Sequence, residues 1–139
     1  MENRFGIRKN IFESYLFLRK KKSWWILKDS NNLFYFSTLK IDVAGMRAFQ
    51  RVGKYIKPAT RFIQMFGHHA TRNTIEINDE QMDLLIRART LSIKDQDLEE
   101  GYIIINLYGR PIGLGLYLKG KIVSQLTKFP SISSFKKDV

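Results

Sequence analysis

Residues 109–121 read GRPIGLGLYLKGK, and whether this run is a phosphate-binding loop or a strand decides the fold. A dinucleotide loop needs its glycines in a strand-to-helix turn, so that helix N-terminal amides face the phosphates. Here the glycines fall as G-x-G-x-x-x-x-G and no helix-forming segment follows. The run alternates instead. Ile112, Leu114, Leu116 and Leu118 point to one side, Gly113, Gly115 and Tyr117 to the other, which is the period of a strand. Lys119-Gly120 reads as a hairpin turn into KIVSQL, and Tyr108-Gly109-Arg110-Pro111 as a turn from the preceding GYIIINL. Glycines inside strands mark close approach of another backbone, or a bend where a small sheet closes into a barrel.

Upstream, TRNTIEI predicts a short strand, with Thr74 and Glu76 alternating against Ile75 and Ile77. Asn78 then caps a helix through DEQMDLLIRAR, with Gln81 as the capping-box partner and Met82, Leu85 and Ile86 as the buried stripe. Its acidic first turn suits the helix dipole, so Asp79, Glu80 and Asp83 need no catalytic explanation. Pro58 suits a first helical position, and Phe62, Ile63 and Phe66 follow at helical spacing to about Ala70. Nearer the N-terminus, Ile7, Ile11, Tyr15 and Leu18 recur at three and four, predicting an amphipathic helix that ends in Arg19 to Lys22. That basic run complements the helix dipole or faces phosphate, and both readings stay open. SWWILK (23–28) and LFYFST (33–38) predict two strands joined by a polar loop at 29–32. Residues 41–56 mix periods and are left unassigned.

The 139 residues carry 24 Lys+Arg against 13 Asp+Glu, a net charge of +11. Such a balance in a small chain points to a polyanionic partner. The charge is uneven: +10 over residues 1–65, −4 over 66–100 and +5 over 101–139. One surface is thus expected to meet the polyanion, and the acidic middle to face solvent or a protein. There is no cysteine, which excludes thiol catalysis, disulfides and thiolate zinc sites. The apolar runs are too short for a membrane-spanning helix, and no signal peptide pattern is present, so a soluble cytoplasmic protein is expected.

The succession Gly101-Tyr102, Gly109-Arg110-Pro111-Ile112-Gly113-Leu114-Gly115, Lys119-Gly120-Lys121, Ser124-Gln125 and Lys128 resembles the C-terminal half of a PUA domain, the RNA-binding module of pseudouridine synthases and archaeosine transglycosylases. KPATRFIQMFGHHATRNTIEIN (57–78) resembles the first helix and second strand of the archaeal versions, while Thr127 stands where the family pattern has proline. The resemblance covers about residues 50–130 and implies an α+β fold: a small pseudo-barrel PUA domain with flanking helices at 59–139, after a small α/β pre-PUA domain at 1–58. It also implies an RNA surface of Lys57, Arg61, Gly67, Arg72, Asn73, Arg110, Lys119, Lys121 and Lys128. There Gly67 would let a nucleic-acid backbone approach, and Arg72 and Arg110 would fork onto phosphates or base edges.

Other chemistry is sparse. Adjacent His68 and His69 on a helix point about 100° apart and do not chelate one ion from one face. Asp95-x-Asp97-x-Glu99 lacks the glycine and spacing of a calcium loop. No Ser, His and acid combine in a triad-like spacing. Of Trp24 and Trp25, one is expected in the core and the other exposed for base stacking. The expectation is a non-catalytic protein without cofactor or metal that binds structured RNA, tRNA or rRNA, in RNA modification or ribosome biogenesis. Alternatives are an adaptor docking on a ribosomal or RNA-modification protein through the acidic middle or the N-terminal part, and a factor placing tRNA on the small ribosomal subunit.

Overall fold

The computed structural model describes residues 2–28, 45–94 and 97–126. The expected strand at 33–38 with its loop at 29–32, Asp95, Thr127 and Lys128 lie outside these residues. The chain is α+β with two sheets. A one-turn helix α1 (Glu2–Phe5) and a 3-10 turn (Lys9–Phe12) lead into β1 (Tyr15–Lys20), β2 (Ser23–Lys28), β3 (Met46–Val52) and β4 (Tyr55–Pro58), an antiparallel sheet in chain order. The second sheet has the order β5-β7-β8-β9-β6, from β5 (Thr74–Ile77), β6 (Thr90–Ser92), β7 (Gly101–Leu107), β8 (Arg110–Leu118) and β9 (Lys121–Ser124). Helix α2 (Thr60–Phe66) joins the sheets, and α3 (Asp79–Ala88) connects β5 to β6.

The expected helix across residues 4–22 is not formed. Gly6 takes φ +67 immediately after α1, and a Cβ there would stand 2.1 Å from Thr71 Oγ1. The chain therefore leaves the helical path where no other residue fits. Tyr15 to Lys20 then pair residue by residue with Lys28 to Ser23, so cross-strand packing of Tyr, Leu and Phe overrides a helical spacing. Pro58 is not the first helical residue either. It ends β4 opposite Phe49, at the sheet's edge, where its missing N–H breaks no ladder bond; Ala59 precedes α2.

The segment that decides the fold is strand, as expected. Tyr108-Gly109 (φ 52° and 74°) and Lys119-Gly120 (φ 51° and 77°) close its two hairpins, each with the paired positive φ of a primed two-residue turn. β7 runs parallel to β5 and antiparallel to β8. Its Tyr102 and Ile104 enter one core with Phe5, Ile26, Ala48, Phe62 and Leu114, and its Ile103 and Ile105 enter another with Leu85, Leu91, Tyr117 and Ile122. Covered on both faces, a strand reads as a continuous apolar run. The first core spans residue 58, since α2 and β7 pack there with the N-terminal sheet.

One detail departs from the expected geometry. Ile105 pairs with Gly113 and Asn106 with Pro111, leaving Ile112 in a bulge. The extra residue turns Ile112 into the second core, away from Leu114. The five-stranded sheet, with β5 and β6 as its edges among the described residues, is compatible with the small pseudo-barrel expected after residue 59. On α3 the capping box is as read: Gln81 N–H donates to Asn78 Oδ1 at 2.8 Å, and Asn78 N–H to Gln81 Oε1 at 3.0 Å.

Candidate nucleic-acid interface

The residues nominated from the sequence are not brought together at one place. Arg110 and Gly67 lie at one end of β8, because a Cβ on Gly67 would meet Pro111 at 3.1 Å. Lys119 lies at the other end, on the order of 30 Å away at about 3.3 Å per strand residue. Gly67 is buried in a helical conformation (φ −63°) under Pro111. Its missing side chain makes room for the protein's own proline and presents no opening to a nucleic acid.

Asn73 is likewise interior, 3% exposed and at φ +54°. Its Nδ2 donates to Arg4 O at 2.7 Å and its Oδ1 accepts from Glu99 N–H at 2.8 Å. Arg72 Nη1 donates to Asn3 O at 2.9 Å, while Nη2 pairs with the Glu99 carboxylate. Both residues tie the N-terminal segment to β7. Arg4 completes the tie, donating to Tyr102 O and Glu99 O; burial lowers its pKa, with Glu99 opposing the shift.

Acidic side chains hold the two β8 turns. Glu76 accepts from Gly109 N–H at 2.7 Å, Asp79 accepts from Tyr108 Oη–H, and Glu100 accepts from Lys119 N–H at 3.0 Å. The bond to Asp79 raises the Tyr108 pKa. Arg110, Lys119 and Lys121 are exposed, as is Arg61 on α2, but acids stand at both turns. Lys57 is half-buried, with Nζ donating to Gln125 Oε1 at 3.1 Å and lying 5.6 Å from the Tyr102 ring centroid.

The N-terminal sheet has a different electrostatic character. Residues 14–28 and 45–58 contain nine Lys or Arg and no Asp or Glu. The β1–β2 turn (Lys21, Lys22) and the β3–β4 turn (Gly53, Lys54) lie at the same end of the sheet, because Ser23 pairs with Gln50 and Arg51 N–H donates to Lys22 O at 2.8 Å. Lys21, Lys22, Arg51 and Lys54 are thereby gathered, all exposed. Like charges in one place cost stability unless an anion shares it. Two cations here lie over rings: Arg19 Cζ is 5.4 Å from the Trp24 centroid, and Lys54 Nζ 5.2 Å from that of Tyr55.

Aromatic rings continue from that end. Trp24 packs on Phe49 at 5.4 Å, Phe49 on Phe17 at 5.9 Å and Phe17 on Phe12 at 5.4 Å. Beside them is an open cleft of about 380 Å³ lined by Glu2, Asn3, Ile7, Lys9, Phe12, Phe17 and Phe49. Both tryptophans are half-buried, so the expected division into one core and one exposed ring is not seen; the register shift between them leaves Ala48 of β3 as the extra residue, while Trp24 and Trp25 stay in unbroken register with Arg19 and Leu18 of β1.

The signal for this end was present in the sequence as RKKK followed by SWW, and its meaning changes once Lys21 is seen at φ +56° in a hairpin. His68 and His69 lie with ring centroids 3.9 Å apart and planes tilted by 40° on a 3-10 turn. Among the described residues no group of three or more His, Asp or Glu side chains is placed to hold a metal ion, and no helix is long and apolar enough to cross a membrane. No family model matches the chain, and no curated protein matches it either.

Proposed function

We propose that this protein binds structured RNA, tRNA or rRNA, as a non-catalytic cytoplasmic module in RNA modification or ribosome biogenesis. The observation that carries the reading is the cluster of Lys21, Lys22, Arg51 and Lys54 on two adjoining hairpin turns, whose strands and turns hold no acidic residue among the described residues. Phosphate contacts release counterions, so cations without acidic neighbours contribute most to affinity for a polyanion. The resemblance of the sequence from Gly101 to Lys128 to a PUA domain supports RNA as the polyanion. The basic cluster puts the centre of binding on the N-terminal sheet, away from the residues the resemblance implies.

The test is a salt titration of binding to a hairpin RNA. Replacing Lys21 and Lys22 together by Ala is expected to flatten the slope of log affinity against log salt by about 1.4 to 1.8, taking roughly 0.7 to 0.9 per phosphate contact. Replacing Lys119 and Lys121 is expected to change it by less than half as much. Equal losses from both pairs would return the site to β8 and β9. No salt-dependent binding at all would leave an adaptor acting through residues 76–100.

A further inference from the structure

We infer that the cleft beside β1 receives an unpaired nucleobase, so the RNA gripped by the basic hairpin end is one that offers a single-stranded loop or terminus. The inference rests on the RNA-binding reading and narrows its ligand. The first argument is adjacency. Phe17 and Arg19 lie two residues apart on β1 and share a face of the sheet, about 7 Å apart at the rise of a strand. Arg19 lies over Trp24, and Trp24, Phe49 and Phe17 touch in series. A cation for a phosphate is thus joined by continuous rings to a platform for the attached base. That combination defines binding of single-stranded nucleic acid, in which a basic groove tracks the backbone and bases stack on aromatic side chains.

The second argument is the chemistry of the lining. A nucleobase has an apolar face and a polar edge, and this cleft supplies both kinds of partner. Phe12, Phe17 and Phe49 offer ring surface, and Phe17 keeps 38% exposure. Asn3 offers an amide that donates and accepts, Glu2 an acceptor and Lys9 a donor. A purely apolar occupant would desolvate those three groups without returning their hydrogen bonds. Paired bases are excluded for another reason: in a duplex their faces are stacked and their edges engaged, so reading by stacking requires a splayed base.

The experiment compares two RNAs of equal length and charge, one a stem with an unpaired loop and the other fully paired. Wild-type protein is expected to bind the looped RNA at least about five-fold tighter, the low end of what one stacked base contributes. Phe17→Leu keeps an apolar side chain but removes the ring, and is expected to abolish the preference while leaving duplex affinity unchanged. Phe17→Ala is expected to do the same, and if it fails to fold, Phe17→Leu decides alone. Equal wild-type affinity for the two RNAs, or a loop preference that survives Phe17→Leu, overturns the inference while the basic-end reading stands. A protein that binds neither RNA removes the basic-end reading as well.

Discussion

The two sheets use charge in opposite ways. In the five-stranded sheet, acids and cations are fastened to backbone: Glu76 and Glu100 accept from turn N–H groups, and Arg4, Arg72 and Glu99 lock the N-terminal segment onto β7. In the four-stranded sheet the strands and the two turns at one end, among the described residues, carry only positive charge. The difference teaches that a net charge of +11 does not by itself locate a binding surface. Cations near the acidic middle of the chain serve the fold. Those remote from it are the ones whose repulsion an RNA would relieve.

The largest test of this division is Asn73→Ala. It orphans Arg4 O and Glu99 N–H and leaves a non-glycine, non-Asn residue at φ +54°. Unpaired buried groups cost about 1–3 kcal/mol each, and the left-handed conformation adds about 1. The expected loss is roughly 3 kcal/mol in urea denaturation. The salt slope for RNA measured on the remaining folded protein should be unchanged, and a slope altered as much as by the Lys21 and Lys22 changes would contradict a purely structural role.

Gly115→Ala comes next. An added Cβ would lie 2.5 Å from Ile122 Cγ2 and 3.1 Å from Ile105 Cδ1, both on fully buried side chains. Overpacking of that kind costs about 1–3 kcal/mol, and again RNA affinity per folded molecule should hold. A stability change below about 0.5 kcal/mol would show that the second core yields more readily than its packing indicates.

Much of the five-stranded sheet was legible because its signals are local. The alternation in 113–118, the paired turn residues at 108–109 and 119–120, and the Asn78–Gln81 capping box each act within a few residues. The site was less legible because its determinants are not local. Gly67 is buried against Pro111, 44 positions onward, a contact no local pattern signals. Asn73 is drawn inside by Arg4 and Glu99, from distant parts of the chain. RKKK could not be assigned while residues 4–22 read as helix, because the same spacing of apolar residues serves a strand preceded by irregular turns. What brings Lys22 beside Arg51 is pairing between β2 and β3, a register that composition does not encode.

The smallest expected effect concerns pH, and it tests the junction between the sheets. Tyr102 belongs to β7 but packs on Tyr55 of β4 at 6.1 Å and carries Lys57 over its ring at 5.6 Å. Burial raises its pKa above the ordinary 10.0. The unfolded chain therefore releases this proton first as pH rises, and between the unfolded and folded pKa values it binds fewer protons than the native state. Stability falls over that interval. The contribution is fully present below about pH 10 and is lost above it, as pH climbs through the folded pKa. Lysine and the other tyrosines titrate in the same range, so the informative quantity is the difference between wild type and Tyr102→Phe, which keeps the ring and removes the proton. From pH 8 to pH 11, urea denaturation should show wild type losing more stability than Tyr102→Phe. An equal loss would mean that the Tyr102 hydroxyl meets water freely, and that the two sheets are less tightly joined at β4 and β7 than their shared core implies.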